Sequence, residues 1–360
     1  MRRLQDERGA VSILVTFLIV GGVMIGLLAM VIDVGRLFNE RRVLVNGSDA
    51  AVLAVARECA LDETQCDISA LPPARDLADS NAGPDAVSDL EELCGSGDLG
   101  ACRVILDHPW ECLSANEFPH HVRVRTRTRE SDGSALLPSV FARGFGFDGH
   151  RMWSCSQAIW GTARGANVTF PLALSACDYV SNASATIQIF EPSNFNPGQG
   201  STCAIIDNDG NEIILSDMIN GFFYVQLDDE RRDCLTPVAV SVGDILPRSD
   251  NIVQLCGSDY EEAFQSFIGV QTPLPVFDQL PSDQGIGTTT MRIASFVAFT
   301  LRGYRLGGGR TVGEPPGGWP PECRANNRCF FGDFGSAVTG DTGVDPNAPN
   351  LGLQSVQLIP

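Results

Sequence analysis

One uninterrupted apolar run near the N-terminus dominates the pattern of apolar and polar positions in this chain. Gly9 to Ile32 are 24 consecutive uncharged residues, bounded by Arg8 and Asp33. At a rise of about 1.5 Å per residue, a helix over this run would be about 36 Å long, longer than the bilayer core of about 30 Å. The run therefore predicts a transmembrane helix over residues 9–32.

Two other structures could give such a run. A cleaved signal peptide has an apolar region of about 7–15 residues, followed by a small-residue cleavage site. Here the run is longer and leads directly into Asp33-Val34-Gly35-Arg36, with no Ala-x-Ala motif nearby. A buried core helix is the other alternative. The length and the charged flanks favour a retained anchor over both.

Beyond Asp33 the apolar residues recur near helical spacing as far as about Arg57. We therefore expect the helix to continue as an amphipathic stem over residues 33–57, with Asn46-Gly47 as the place where it would bend. The first proline is Pro72, and all 21 prolines follow from there. This shift separates a helical N-terminal part from a loop-rich or β-rich remainder.

Residues 58–120 are acidic and Cys-rich, and we expect an irregular segment held by disulfides. Short helical signals occur within it at Ala74–Asn81 and Ser88–Leu93. Strand patterns dominate from His121 onward, so residues 121–360 are predicted to form a mainly-β domain with a sizeable core. The predicted fold class is therefore α+β, with a transmembrane helix and stem followed by a disulfide-bonded, mainly-β extracytoplasmic domain.

The clearest strand pattern alternates Arg with Val or Thr from Arg123 to Arg129. Its period of two predicts a strand with Arg on one face, either solvated or in local salt bridges. A binding stripe for an acidic partner is the alternative. The other strand candidates are Ala158–Ala163, Ala185–Phe190, Cys203–Ile206, Glu212–Leu215, Phe222–Gln226, Thr236–Val242 and Met291–Leu306, with a closing strand in Leu351–Ile359.

Cysteine distribution predicts the side of the membrane. All twelve cysteines lie beyond the apolar run, and no Cys-x-x-Cys pair is present to indicate a metal site. An even, scattered set of this kind is typical of disulfides in an oxidising compartment. Cys59 and Cys66 are close enough for a small loop, as are Cys323 and Cys329. We therefore expect residues 1–8 in the cytoplasm and residues 33–360 outside.

Charge narrows the possible partners. Residues 59–360 carry 18 Arg against 38 acidic residues, a net charge of −20, which repels nucleic acid and anionic lipid headgroups. No nucleic-acid partner is expected. The chain has no Lys at all, so a P-loop, a Schiff base and a Ser-Lys mechanism are all excluded.

No local pattern predicts a catalytic, cofactor or metal site. The chain lacks Gly-x-Ser-x-Gly and His-Glu-x-x-His motifs. Asp207–Asn211 has acids like a calcium loop, but its glycine is misplaced and no closing Glu follows, so a hairpin turn is the better interpretation. A carboxylate pair for glycoside hydrolysis remains open, because acids are plentiful. We expect a protein that is not an enzyme and has no cofactor.

Three residues of the apolar run and its edge are candidates for contact with another helix. Gly22 and Gly26 share one helix face at small-xxx-small spacing, which lets a second helix approach closely. Glycine is also simply common in spans. Asp33, at the membrane edge, could pair with Arg36 in the same helix or with a partner.

Three segments in order have a recognisable pattern: Glu7–Val11 at the start of the apolar run, Asp33–Leu37 after it, and Arg41–Ala51, which includes Asn-x-x-Asp-Ala-Ala. With these segments the N-terminal region resembles the TadE/TadG-like proteins of the Flp (tight adherence) pilus assembly system. It implies a membrane-anchored, non-enzymatic component of pilus assembly or adhesion, whose partners are other membrane or pilus assembly proteins.

A looser resemblance extends to the outer region of TadG-like proteins from high-GC Gram-positive bacteria. It rests on Phe170–Cys177 and Phe299–Leu306. Two departures restrict what it implies. The Asp-x-Ser-x-Ser metal motif of von Willebrand A domains is missing, and Leu14 stands where a prepilin of this system has Glu. Metal-dependent adhesion and polymerisation as a pilin are therefore not implied. A membrane-anchored extracellular hydrolase or ligand-binding protein is the alternative function.

Overall fold

A computed structural model describes residues 4–67, 71–81, 87–103, 112, 118–129, 134, 136–181, 186–190, 201–207, 210–218, 220–227, 234–249, 252–257, 260–279, 290–306, 310–323, 328–340 and 342–359. The chain divides into two compact units. The first contains residues 1–55, 64–158 and 358–360, and the second contains residues 56–63 and 159–357.

The chain begins with a single helix, α1, which extends from Leu4 to Leu61 over 58 residues. It therefore continues through the predicted bend at Asn46-Gly47 and ends four residues after Arg57. At about 1.5 Å per residue its length is about 87 Å, so the apolar run makes up less than half of it. The prediction of a long apolar helix followed by a mainly-β, disulfide-bonded part is confirmed.

The first unit adds a short helix and a small sheet to α1. Its elements are α2 (Leu71–Ser80), β1 (Val87–Gly95), β2 (His121–Arg129), β3 (Leu137–Pro138), β4 (Gly149–His150) and β5 (Trp153–Thr162). β1 and β2 pair antiparallel, β5 follows β2 in the sheet, and β3 pairs with β4. The last residues of β5 belong to the second unit.

The two faces of β2 have the roles that their alternation predicts. Val122, Val124, Thr126 and Thr128 are buried. The arginines on the other face form ion pairs with β1: Arg123 with Glu92 at 3.1 Å, Arg125 with Glu91 at 2.8 Å and Arg127 with Asp89 at 2.6 Å. The hydrogen bond to Asp89 raises the pKa of Arg127. The interpretation of this face as a set of local salt bridges is confirmed.

Residues 87–95 differ from the sequence-based expectation. The helical signal at Ser88–Leu93 was wrong, because this segment is strand β1. Its carboxylates pair with arginines more than thirty positions away, and a bulge between Leu90 and Glu92 interrupts the strand alternation. Both features hide the strand from a local reading of the sequence. The signal at Ala74–Asn81 does correspond to a helix, α2.

The second unit is mainly β, and the last two residues of its C-terminal strand belong to the first unit. Its elements are β6 (Gly165–Val168), β7 (Leu172–Ser175), α3 (Ala176–Ser181), β8 (Thr186–Phe190), β9 (Ser201–Ile206), β10 (Glu212–Met218), β11 (Phe222–Val225), β12 (Val238–Ser241), β13 (Ile245–Ser249), α4 (Ile252–Cys256), α5 (Tyr260–Ser266), β14 (Gln271–Gln279), β15 (Thr290–Leu306), β16 (Arg310–Val312), β17 (Cys329–Gly335), β18 (Ala337–Thr339) and β19 (Leu353–Ile359).

Its main sheet has the order β13-β11-β7-β14-β15-β17-β8, with β16 paired to β15. β13 also pairs with β15, so the path through β13, β11, β7, β14 and β15 closes on itself. Buried aromatic rings fill the core of this unit. Phe170 packs edge-on to Phe264 with ring centroids 5.0 Å apart, and Phe222 packs on Phe330 at 4.9 Å. Such pairs contribute beyond their buried area alone.

All twelve cysteines are disulfide-bonded. The first unit contains the bridges Cys94–Cys102 and Cys112–Cys155. The second contains Cys177–Cys203, Cys234–Cys256 and Cys323–Cys329. Cys59 and Cys66 are also bonded. A chain of this composition is typical of an oxidising compartment.

Candidate functional site

The apolar part of α1 is largely exposed. Among the described residues α1 is the one helix long and apolar enough to cross a membrane, and none of its most apolar stretch is buried. Phe17 is 75% exposed and Val31 is 69% exposed. A soluble protein rarely leaves an apolar surface of this size uncovered.

The stem half of α1 has the opposite character. Leu44, Ser48, Ala51 and Val52 are completely buried. The same continuous helix therefore has two functional parts: a bare apolar half, and a half that packs into the protein. The change occurs between Asp33 and Glu40, and this boundary is the candidate functional site.

At the boundary, Asp33 is held by backbone groups of a distant segment of the first unit. Its carboxylate accepts hydrogen bonds from the N–H groups of Val140 at 2.8 Å, Phe141 at 3.2 Å and Ala142 at 2.8 Å. A 3₁₀ turn begins at Ala142. Backbone N–H groups at a helix start lack partners within the turn, and a carboxylate satisfies them well. Asp33 therefore fixes this segment to α1.

We call residues 136–151, which include β3 and β4, the collar. Between the collar and α1 lies a cleft of about 280 Å³. Its helix side includes Gly26, Ala29 and Met30, and its collar side includes Leu137 and His150. Small side chains on α1 leave room for this cleft. The lining is mostly apolar, and its polar members are Asp33, Arg36, Ser139 and His150.

The stem packs against the first unit through a buried polar cluster. The hydroxyl of Ser48 lies 2.7 Å from that of Ser156 and 3.0 Å from that of Ser154. Ser156 in turn donates to the carboxylate of Asp49 at 2.5 Å. Thr126 of β2 donates to the carbonyl of Leu44 at 3.3 Å. Because buried polar groups need such partners, this cluster fixes the rotation of the stem against the sheet.

Gly47 explains why the stem can approach α2. A methyl group at Gly47 would lie 2.9 Å from the backbone oxygen of Ala78. Asn46-Gly47, expected as a bend, is therefore a site of close packing within an unbroken helix. By contrast, a methyl group at Gly35 would have no neighbour within 4 Å.

Gly22 and Gly26, the glycines chosen from the sequence, both lie on the exposed part of α1. A methyl group at Gly22 or Gly26 would have no neighbour within 4 Å, and both residues are exposed. Gly26 also lines the cleft beneath the collar. Their role in contact with another helix stays a prediction. Asp33 was expected to pair with Arg36 or with a partner protein. Its carboxylate accepts hydrogen bonds from backbone N–H groups of the collar in its own chain.

The sequence analysis did not predict the collar, nor the buried polar cluster in which Ser48 meets Ser154 and Ser156. Val140, Phe141 and Ala142 contact Asp33 through backbone N–H groups, which leave no signature in side-chain types. An apolar stretch from Leu136 to Phe147, rich in Phe and Gly, was the available signal. Ser154 and Ser156 alternate along β5, but nothing in the sequence links them to Ser48.

Two other features concern metal and catalytic chemistry. Within the described ranges, no group of three or more His, Cys, Asp or Glu residues could hold a metal ion. Asp207 accepts the N–H of Asn211 at 2.7 Å, and Gly210 has φ +82°, which is the geometry of a tight turn. Elsewhere, burial raises the pKa of Asp178, which also accepts the N–H of Gly221.

One comparison with known proteins gives a match. Residues 9–58 match the family model described as "Putative Flp pilus-assembly TadE/G-like". The matched segment covers the exposed apolar half of α1, the boundary residue Asp33, and the stem with Ser48 and Asp49. No curated protein and no solved structure matches the chain. The similarity therefore concerns α1, and residues 159–357, which form the mainly-β part of the second unit, lie outside it.

Proposed function

We propose that this protein is a membrane-anchored, non-enzymatic component of a Flp/Tad-type pilus assembly or adhesion system. The observation that carries the proposal is the coincidence of the family match with a structural division in α1. The match over residues 9–58 contains an apolar part that the described residues leave largely exposed and a stem that they pack tightly. An exposed span joined to a fixed stem suits an assembly element that carries an outer domain.

In this proposal the protein crosses the membrane once. Residues 1–8 lie in the cytoplasm, residues 9–32 span the bilayer, and residues 33–360 lie outside. The disulfide-bonded state of all twelve cysteines supports an outer location, because cytosolic reductants oppose such bonds. The outer part repels nucleic acid through its negative charge, so its partners are proteins.

The partners we propose are other membrane or pilus assembly proteins, contacted through α1. The face with Gly22 and Gly26 would receive a second helix. The likeness to TadG-like proteins of high-GC Gram-positive bacteria belongs to the same proposal. Its two segments, Phe170–Cys177 and Phe299–Leu306, include β7 and much of β15, both in the core sheet of the second unit.

Deletion of the gene in the native host tests the role in assembly. Surface pili counted by electron microscopy should disappear or fall sharply, and expression of the full chain should restore them. An unchanged number of pili after deletion would overturn the proposed role. Washing isolated membranes with alkaline carbonate tests the anchor separately. The protein should stay in the membrane fraction, and its release would show that residues 9–32 do not span the bilayer.

A further inference from the structure

The collar exposes an unusual set of apolar side chains. Val140 is 51% exposed, Phe141 41% and Phe147 61%, and Leu136 is also exposed. Single exposed apolar residues are ordinary, but a group within one short segment indicates an interaction surface. Phe141 also lines the cleft, whereas Leu136, Val140 and Phe147 do not line it and stay exposed.

Asp33 places this surface at a defined level along α1. It follows Ile32, the last residue of the apolar run, and it binds the backbone of Val140, Phe141 and Ala142 directly. If residues 9–32 cross a bilayer, the collar backbone therefore lies where the hydrocarbon ends and the headgroups begin. Segments that lie in the interface bury apolar side chains, Phe among them, at this depth.

The charges of the collar fit the same depth. Although the outer part as a whole is acidic, residues 136–151 contain two arginines, Arg143 and Arg151, and one acid, Asp148. Both arginines are exposed. Guanidinium groups beside apolar side chains can bind lipid phosphates while the apolar groups enter the interface. The collar thus lacks the local negative charge that would keep it from a membrane.

We propose that the collar is a second membrane contact, which inserts Val140 and Phe147 into the headgroup region of the leaflet that α1 leaves. This inference rests on the proposed membrane anchor. The occupant is the bilayer surface itself, because the exposed side chains are continuous with the end of the span. Through Asp33, this contact restrains the tilt and rotation of α1 and so orients the stem relative to the membrane.

Depth-dependent fluorescence quenching of the full chain in phosphatidylcholine vesicles tests this contact. A fluorescent amino acid is introduced singly in place of Phe147, Phe17 or Leu77. One vesicle preparation carries bromine on the acyl carbons nearest to the headgroups, to report on positions 147 and 77, and a second carries it at mid-chain, to report on position 17. Phe17 lies within the proposed span. Leu77 is an exposed apolar residue of α2, which packs at Gly47, 14 residues beyond Asp33 and therefore about 21 Å further along α1.

We expect quenching at position 147 several-fold greater than at position 77. Strong quenching at 17 with a value at 147 as low as that at 77 would overturn the collar contact and leave the anchor intact. Weak quenching at 17 would overturn the anchor itself. Equal, strong quenching at 77 and 147 would also overturn the proposal, because contact would not be specific to the collar. A protein partner that covers the collar would give the low value at 147.

Discussion

The hydroxyl groups of Ser48 and Ser156 lie 2.7 Å apart and are buried, although 108 positions separate them in the chain. This bond joins the long helix to the sheet of the first unit. Because Gly47, immediately before Ser48, meets the backbone of Ala78, the helix is held on two sides at the same level. The stem is therefore a fixed support rather than a flexible linker between span and domain.

Gly47→Ala and Gly35→Ala separate helix propensity from packing. Alanine in a helix interior is favoured over glycine by about 1 kcal/mol, so Gly35→Ala, which meets no neighbour, should raise the unfolding temperature of the first unit. Gly47→Ala gains the same helix propensity but places a methyl group 2.9 Å from the oxygen of Ala78. The resulting strain, about 1–3 kcal/mol, should lower the unfolding temperature of the first unit. Thermal unfolding of the full chain in nanodiscs measures both. Equal shifts would contradict the close packing at Gly47.

Asp33→Ala should free the collar from α1. The N–H groups of Val140 and Ala142 lose their acceptor, so their amide hydrogen exchange should become several-fold faster. Hydrogen exchange followed by mass spectrometry of collar peptides measures this. Asp49→Ala, which removes the acceptor of Ser156, is the matched control and should leave these peptides unchanged. Similar acceleration in both variants would contradict a local role for Asp33.

The sequence predicts the long helix and β2 because both follow from local periodicity. A 24-residue apolar run and an alternation over nine residues need no knowledge of distant contacts. β14 escaped prediction because it contains Pro273 and Pro275, which normally argue against a strand within a sheet. Only Val276 and Phe277 pair with β7, so the prolines precede the part of β14 that has strands on both sides.

The candidate site was only half predictable. Asp33, Gly22 and Gly26 follow from their place in and beside the apolar run. The collar does not, because its contact with Asp33 depends on backbone groups more than one hundred positions away. The same limit applies to β1, whose carboxylates find their arginines only when β2 lies beside it.

Asp178 should make the stability of the second unit depend on pH. Burial raises its pKa in the folded protein, so the folded state keeps the proton at pH values where the unfolded chain has already lost it. Stability from this group therefore falls as the pH rises through the acidic range toward neutrality. Asp178→Asn keeps an oxygen for the N–H of Gly221 and removes the titration. On going from mildly acidic to neutral buffer, the unfolding temperature of the variant should therefore rise more, or fall less, than that of the wild type, and an equal change in both would contradict this assignment.

Thiol labelling should report the orientation of the chain. All cysteines are bonded, so the wild-type protein should not react with a membrane-impermeant maleimide without reduction. Leu77→Cys, at an exposed position of α2, should react in intact cells stripped of their wall. Arg3→Cys should react only after the membrane is opened. The reverse pattern, or many free thiols in the denatured wild type, would return the domain to the cytoplasm.

Bulky substitutions on one face of α1 should test its role in assembly. Gly22 and Gly26 lie about 40° apart around the helix axis, and neither has a neighbour that leucine would displace at its Cβ. Gly22→Leu with Gly26→Leu should therefore leave the disulfide-bonded outer part folded. A second helix that packs against these glycines would be forced away, because close approach depends on small residues. Recovery of partner membrane proteins with the tagged full chain, identified by mass spectrometry, should fall several-fold.

Val20→Phe with Val31→Phe adds similar bulk about 140–160° away from this face and is the matched control. Equal recovery from the glycine variant and the wild type would show that α1 only anchors, and equal losses from both variants would show that no particular face is recognised. Of the two glycines, only Gly26 lines the cleft, so Gly22→Leu alone tests the contact with a second helix without filling the cleft.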